Sequence, residues 1–302
     1  TNYSSVITTN IGEMDNKGVD ANLEYQTRIG NKVGLRLFGN LTYSKNKIVF
    51  RDEPAMQYAY QKSEGTRYGE FYGYIAEGYF QSEEEIKKSP RQMRELAPGD
   101  IKYKDLNDDG VIDANDQCYL GKSWFPSWSY GMGFNINYHN FDLALFFQGV
   151  SDVSIMANGG SIDTGNGDWG ASGVGIVPFT GMGLNPSNVI TKALDRWTAD
   201  NPRADAWYPR MTANATTNDN NYVNSTHWLK DGSYLRLKQA SLGYTLENKK
   251  LMDKGIEYLY FYLSGQNLLT FSKFKLWDPE LGSNGAKYPL SRMVTLGMRV
   301  SF

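Results

Sequence analysis

The feature that most constrains this chain is an alternation of apolar and polar residues with a period of two, recurring through much of its length. Successive residues of an extended strand face opposite sides, so such a run describes a ribbon with one apolar and one polar face. From Val19 onward, Val19, Ala21, Leu23, Tyr25, Thr27 and Ile29 share one face and Asp20, Asn22, Glu24, Gln26 and Arg28 the other. After a Gly30-Asn31-Lys32 turn, Val33, Leu35, Leu37, Gly39, Leu41 and Tyr43 alternate with Gly34, Arg36, Phe38, Asn40, Thr42 and Ser44. These two runs predict one hairpin. Tyr130, Met132, Phe134, Ile136 and Tyr138 alternate with Ser129, Gly131, Gly133, Asn135 and Asn137. Past a His139-Asn140 turn, Phe141, Leu143, Leu145 and Phe147 alternate with Asp142, Ala144, Phe146 and Gln148. A span from near Tyr234 to Leu246 is less clean, because Arg236, Lys238 and Ala240 share the parity of Tyr234. Residues 258–269 begin apolar or aromatic on both faces, and Val294, Leu296, Met298, Val300 and Phe302 end the chain against Thr295, Gly297, Arg299 and Ser301.

Each span is roughly 10 residues, the length a tilted membrane strand needs. A soluble β-sandwich also alternates, so the connections decide. Those at 30–32, 139–140 and 247–256 are short, and those at 45–127, 151–233 and 271–290 are long. Short and long alternate strictly, the pattern of an outer-membrane barrel with short periplasmic turns and long extracellular loops. The expected fold is therefore all-β, an antiparallel transmembrane β-barrel with its long loops outside the cell. The additional β-like segment 68–80 is expected inside the first long loop and not in the wall. Seven strands do not close a bacterial barrel, since single-chain examples have even numbers of eight or more. The arithmetic predicts a fragment. The longest uninterrupted apolar stretch, residues 258–263, is far below the 18 or so that a spanning helix requires.

The formal net charge of −2 carries no excess of positive charge that would seek nucleic acid. Charged residues are 21% of the chain against 14% aromatic, with 31 glycines, a balance that suits a turn-rich β protein. The single cysteine, Cys118, excludes an internal disulfide framework or a multi-cysteine zinc site and reads as a spectator thiol. Residues 1–10 contain no basic segment followed by an apolar one. Either a targeting signal was removed or the chain is the later part of something longer.

The sharpest local motif is Asp105-Leu106-Asn107-Asp108-Asp109-Gly110-Val111-Ile112-Asp113-Ala114-Asn115-Asp116. It fits the D-x-[DN]-x-[DN]-G pattern, with oxygen side chains at positions 1, 3 and 5, a glycine at 6 for the sharp turn and an inward carbonyl at 7. The expected Ca2+ ligands are Asp105, Asn107, Asp109 and the Val111 carbonyl, with Asp113 direct or through water and Asp116 closing the sphere. Mg2+ is the other hard cation this oxygen set suits. Position 12 holds Asp where an EF-hand has Glu, and the competing reading is an acidic Asx-turn without metal. Such a site is structural, because it crosslinks a long loop whose ordering costs entropy. No catalytic constellation accompanies it. His139 falls in a turn and His227 in a Ser/Thr/Asn-rich loop, no G-x-S-x-G, H-E-x-x-H or phosphate-binding loop occurs, and the chain is read as not an enzyme. Tyr58, Tyr60 and Trp207 belong to a set of loop aromatics suited to stacking on sugar rings. Within that set Trp124, Trp128, Trp169 and Trp197 are the candidate substrate contacts, although barrel interfaces and loop packing use the same residues.

Several stretches together resemble the SusC/RagA-type TonB-dependent transporters of the Bacteroidota outer membrane. They are Thr9-Asn10-Ile11-Gly12-Glu13-Met14 with Asn16-Lys17-Gly18-Val19, Gly69-Glu70-Phe71-Tyr72-Gly73-Tyr74 with Glu77-Gly78-Tyr79-Phe80-Gln81, and Pro98-Gly99-Asp100-Ile101 leading into the acidic loop. Later come Arg196-Trp197-Thr198, Pro209-Arg210, Asp231-Gly232-Ser233-Tyr234-Leu235-Arg236-Leu237, Gly265-Gln266-Asn267-Leu268, Asp278-Pro279-Glu280 and the terminal aromatic Phe302. The resemblance spans essentially the whole chain, in the order of the family's C-terminal part. It implies the C-terminal seven or so strands of a 22-stranded barrel plugged by an N-terminal domain that lies outside these residues. It further implies a SusD-like surface lipoprotein as partner, TonB-ExbB-ExbD as energy source reached through that missing region, and import of oligosaccharides or, in some branches, peptides. The location implied is the outer membrane of a Gram-negative, Bacteroidota-like cell, with lipid around the wall, and no organic cofactor is implied.

Two readings follow. In one, Asp20, Asn22, Glu24, Arg28, Arg36, Asp142 and Arg299 face the aqueous lumen of a nutrient importer, because facing lipid would be costly. In the other, the chain is a soluble, calcium-stabilised β-sandwich that binds glycan, with the apolar faces sealed between two sheets.

Overall fold

The alternating runs fold as neighbouring strands of one sheet. The computed structural model describes residues 11–30, 32–158, 191–211, 219–283, 285 and 288–302. Strands β1 (Glu13–Ile29) and β2 (Val33–Phe50) form the first hairpin. The long connection after them holds β3 (Glu70–Gly73), β4 (Ala76–Tyr79), helix α1 (Glu83–Lys88), β5 (Ile101–Tyr103) and β6 (Cys118–Ser123). A second hairpin joins β7 (Trp128–Tyr138) to β8 (Phe141–Ser151). Short strands β9 (Ser154–Met156) and β10 (Leu229–Asp231) pair within the next long connection, and β11 (Tyr234–Leu246), β12 (Tyr258–Ser272) and β13 (Met293–Ser301) complete the chain. The large sheet runs β1-β2-β7-β8-β11-β12-β13, so every strand lies beside its predecessor in the sheet and β1 and β13 are its edges. Segment 68–80 supplies β3 and β4, which pair with β6 and β5 in two-stranded sheets of their own. Among the described residues no helix is long and apolar enough to cross a membrane.

Register turns the local alternation into a two-faced sheet. Leu35 pairs with Ile136, which pairs with Leu143; Leu143 pairs with Leu242, Leu242 with Leu263 and Leu263 with Leu296. Directly paired residues share a face, so this row is apolar from β2 to β13. One row along the other face reads Asn137, Asp142, Gly243, Tyr262 and Gly297.

The untidy parity of β11 has a structural cause. Both of its neighbours change register between Leu237 and Gln239, leaving Lys238 without a paired partner on either side. The extra residue of such a bulge inverts the side-chain parity. Leu235 and Leu237 thereby join Ala240 and Leu242 on the apolar face, opposite Phe271 and Leu269, while Tyr234 and Arg236 turn to the polar face. Arg236, 1% exposed, donates from Nη2 to both carboxylate oxygens of Asp278 at 2.6 and 2.8 Å. Tyr234 donates its hydroxyl to Glu280 at 2.6 Å. Asp278 also caps the 3-10 turn Pro279–Leu281 by accepting from the Glu280 amide. Two strand residues thus hold the turn of the last long loop against the polar face.

The chain divides into two compact units. One comprises Gly18–Ser44, Phe125–Ile155 and Asp231–Phe302, and the other Thr1–Lys17, Lys45–Trp124 and Met156–Lys230. The division cuts β1 at Lys17/Gly18 and β2 at Ser44/Lys45, where the clean alternation of the first hairpin begins and ends. The sheet unit has its apolar side bare: Leu23 is 77% exposed, Val294 69% and Leu296 80%. Leaving such a side chain in water forgoes about 1.5–3 kcal/mol each relative to full burial. Summed along the face, that exceeds the ~5–15 kcal/mol net stability of a typical domain. The loop unit, by contrast, has an ordinary core of Phe71, Tyr74, Tyr79, Ile101, Tyr103, Ile112, Trp197, Tyr208 and Trp228.

Because Arg236 is buried against Asp278, removing the carboxylate leaves an uncompensated cation, a loss of about 3–5 kcal/mol. Glu280 approaches Arg236 Nε at 3.9 Å, so Asp278→Ala is expected near the lower end. The urea midpoint of the refolded protein, compared with Asp278→Asn, measures it.

Candidate functional site

The polar face of the sheet is the first candidate, because it gathers charge and aromatic rings on a single surface. Arg36 and Glu24 form a two-pronged ion pair at 2.8 and 3.0 Å, both side chains about half exposed. The Arg36 guanidinium lies 5.0 Å from the Phe38 ring centre, and that of Arg299 lies 5.7 Å from the Tyr260 ring centre. Tyr260 donates its hydroxyl to Asp142 at 3.0 Å. At the turn end a recess of about 530 Å3 is bordered by Arg28, Lys32, Asn137 and His139. His139 sits at φ 50° in its turn, with its ring edge-on to Tyr138.

The second candidate is the loop unit, whose segments are joined by a buried polar network. Asp100, 1% exposed, pairs with Arg210 at 2.8 Å and accepts from Asn221 Nδ2 at 2.7 Å. Gln92 Nε2 donates to the Ile101 carbonyl and to Asn220 Oδ1, both at 2.9 Å, and its Oε1 accepts from the Tyr103 amide. Buried polar groups cost little only when paired, and these partners come from segments more than 100 residues apart. Gly99, at φ 90°, lies directly under the Trp197 ring and beside Arg210 Cβ, so no side chain fits there. The motifs Pro98-Gly99-Asp100-Ile101, Arg196-Trp197-Thr198 and Pro209-Arg210 therefore meet in one place, a convergence that their spacing along the chain does not reveal.

His227 belongs to the same core. Its Nε2 lies 3.2 Å from the Trp207 carbonyl and 3.3 Å from the Tyr79 hydroxyl, and its ring packs edge-on to Trp228 at 4.7 Å. Burial, then the nearby Lys230 ammonium, pulls its pKa from the ordinary 6.5 down to about 4. Lys230, held at 2.6 Å on the His227 carbonyl, is itself lowered by burial. Burial also pushes the Cys118 thiol up, which keeps it protonated and unreactive.

The acidic loop is built from Asx turns. Asn107 Oδ1 accepts from the Asp109 amide at 3.1 Å, Asp109 Oδ1 from Val111 at 2.8 Å and Asp113 Oδ1 from Asn115 at 2.7 Å. Asp105 Oδ2 takes the Gly110 amide, and fully buried Asp116 takes the amides of Leu106 and Asp113, the latter closing a capping box. Tyr60 and Gln61 fasten this turn by donating to the Asn115 and Ala114 carbonyls. Asp108 at φ 58° and Gly110 at φ 81° make the bend the pattern requires. The fit to a cation is partial. Asp105 Oδ1 is buried without a hydrogen-bond partner, yet among the described residues no three His, Cys, Asp or Glu side chains are grouped to hold a metal ion.

The aromatic candidates are dispersed. Trp124 is 45% exposed with its ring edge-on to Phe71. Trp128 pairs with Tyr43 on the apolar face, rings 4.4 Å apart. Trp197 is 6% exposed in the loop core, which leaves no open face for a sugar. Trp169 lies outside the described residues. Tyr58 and Tyr60 stack on each other at 5.2 Å. Phe38, Phe146, Tyr260 and Tyr262, half-buried, are strand residues on the polar face of the sheet, where a period of two registers only a break in polarity.

No family model matches the chain. It is 27% identical over 97% of its length to TonB-dependent receptor P3 of Formosa agariphila, and 22% identical over its whole length to TonB-dependent receptor SusC of Bacteroides thetaiotaomicron. It spans under a third of those relatives, 29% and 28% of their lengths. Among solved structures it is similar to the RagAB peptide importer in its open-open state, with a TM-score of 0.68, 22% identity, and coverage of 97% of this chain and 29% of that one. The resemblance to SusC/RagA-type TonB-dependent transporters thus holds across the chain, and these relatives are named as receptors and as a peptide importer.

A group whose pKa falls on folding stabilises fully above its unfolded value, and that contribution is lost as pH drops. For His227 the window runs from about 6.5 down to about 4, with a loss of up to about 3 kcal/mol. Tryptophan fluorescence of the loop unit, titrated from pH 8 to pH 4, is expected to move in that window and to flatten in His227→Gln.

Proposed function

We propose that this chain is part of the wall and mouth of an outer-membrane nutrient importer of the SusC/RagA type, with lipid on its apolar face and a watery passage on its polar face. The observation that carries the reading is the uncovered apolar row from Leu35 to Leu296, set back to back with the row of Asn137, Asp142 and Tyr262. Hydrocarbon covers such a face at no desolvation cost, and antiparallel pairing satisfies the backbone groups inside it. The similarity to SusC and to a RagAB importer supports the same reading. In it, the long connections lie outside the cell, the remaining strands and plug come from the rest of a longer protein, a SusD-like lipoprotein caps the mouth, and TonB with ExbB and ExbD supplies the energy. The cargo is an oligosaccharide or a peptide. The β-sandwich alternative is disfavoured because a single sheet carries all seven long strands and no second sheet covers its apolar face among the described residues.

Face-specific substitution in the full-length protein tests this. Leu37→Arg is expected to cost about 2–4 kcal/mol of folding into lipid vesicles, whereas Asn40→Arg on the opposite face costs well under half of that. Equal penalties, or a detergent-free monodisperse protein, would remove the membrane assignment.

The acidic loop is proposed to hold a structural Ca2+ through Asp105, Asn107, Asp109, the Val111 carbonyl, Asp113 and Asp116, supported by the loop pattern and the unpartnered Asp105 oxygen. Asp105→Ala combined with Asp109→Ala is expected to abolish protein-bound calcium by elemental analysis while strand content by circular dichroism is kept. Metal content equal to that of the parent protein would refute the site.

A further inference from the structure

The recess at the turn end of the polar face gathers positive charge without a counter-charge. At its floor is Gly34, which is paired with Asn137 and brings no side chain of its own into the space. Around it are Arg28, Lys32, Arg36 and His139, together with the amide side chains of Gln26 and Asn137, and no carboxylate borders it. Two acidic residues of the same face are engaged elsewhere. Glu24 pairs with Arg36 through both of its oxygens, at 2.8 and 3.0 Å. Asp142, the partner of Asn137 in the next strand, accepts from the Tyr260 hydroxyl with one oxygen, and its other oxygen fills the space beside Gly243. Its charge is thereby drawn toward β11 and β12, away from the recess. Arg28 and Lys32 make no hydrogen bond or ion pair among the described residues. Like charges gathered with no counter-ion repel one another, and an anion between them removes that cost.

We infer that this recess binds a phosphate or sulfate ester group. The Arg28 guanidinium offers a planar fork of donors that matches two oxygens of such a group, and the Lys32 ammonium adds a compact charge. The Gln26 and Asn137 amides supply neutral donors. A carboxylate presents its two oxygens in one plane, whereas a tetrahedral oxyanion presents a third in another direction and so meets donors on several sides. At about 530 Å3 the recess is far larger than a bare ion and has room for the molecule that carries the group. That carrier is either a phospholipid, through its headgroup, or a soluble phosphorylated or sulfated solute, and the chemistry at the recess is the same for both. The inference needs only the side chains of the sheet, so it stands or falls apart from the import reading.

The test uses the full-length protein in an uncharged detergent. Isothermal titration at fixed ionic strength measures binding of glycerol 3-phosphate, inorganic phosphate and sulfate, with acetate as the carboxylate control. Arg28→Gln and Lys32→Gln are each expected to weaken glycerol 3-phosphate binding about three- to ten-fold. Asn137→Asp, which sets a carboxylate of the same size into the recess, is expected to abolish it, whereas Lys45→Gln at the far end of β2 leaves it unchanged. All four side chains are exposed, so the strand signal by circular dichroism stays that of the parent. Repeating the titration in lipid nanodiscs identifies the carrier. Binding retained in phosphatidylcholine but lost in phosphatidylglycerol assigns the recess to a lipid headgroup, and binding retained in both assigns it to a soluble ester. Phosphate, sulfate and glycerol 3-phosphate binding no better than acetate overturns the inference, as does equal affinity in the parent, Arg28→Gln, Lys32→Gln and Asn137→Asp.

Discussion

The two-sidedness of one antiparallel sheet governs everything else in this molecule. Each strand presents hydrocarbon-compatible side chains to one side and polar or aromatic ones to the other, and pairing carries that division without interruption from β2 to β13. An apolar surface that continuous is untenable in water at the stability of an ordinary domain. On the membrane reading proposed above, a surrounding apolar solvent removes that cost, and backbone pairing holds the strands together. Loops then separate by length, because turns at one end only reverse the chain while the connections at the other end build structure of their own.

That second structure is held differently. The loop unit has an aromatic core, and its segments are joined by buried side-chain amides and an ion pair: Gln92, Asn220, Asn221, and Asp100 with Arg210. Such networks demand complementary partners at fixed positions, which gives long connections a unique arrangement. The neutral His227 within the aromatic cluster follows the same logic, since a charged imidazole there would be desolvated beside an ammonium group.

How much of this was legible from sequence depends on whether the information is local. Period two is a property of neighbours, so the seven strands, their faces and their short turns could be read directly from residues such as Leu23 and Leu296. The parity slip in β11 could not, because a bulge looks like noise until the partners of Leu237 and Gln239 are known. Strands β1 and β2 also run beyond the expected spans, to Glu13 and Phe50, since backbone pairing continues where polarity stops alternating. The meeting of Gly99, Trp197 and Arg210 was invisible for a related reason: contacts across a hundred residues leave no periodic trace. In the acidic loop, the Gly110 bend and the Asx turns were readable, whereas the direction of each carboxylate was decided by amides such as those of Leu106 and Asn115. Among the aromatic candidates, composition favoured tryptophan in loops, yet Trp197 is buried in the loop core, and the rings gathered on the polar face are strand phenylalanines and tyrosines.

The edges of the sheet carry a consequence for anyone handling these 302 residues alone. Strands β1 and β13 each have one sheet neighbour, so each exposes a row of amide and carbonyl groups along a long, regular margin. In a bilayer such a margin has no water to bond to, and in detergent it is a template for another copy. Isolated copies are therefore expected to join margin to margin, and an oligomer seen with this segment alone reports its two unpaired edges and not a biological stoichiometry.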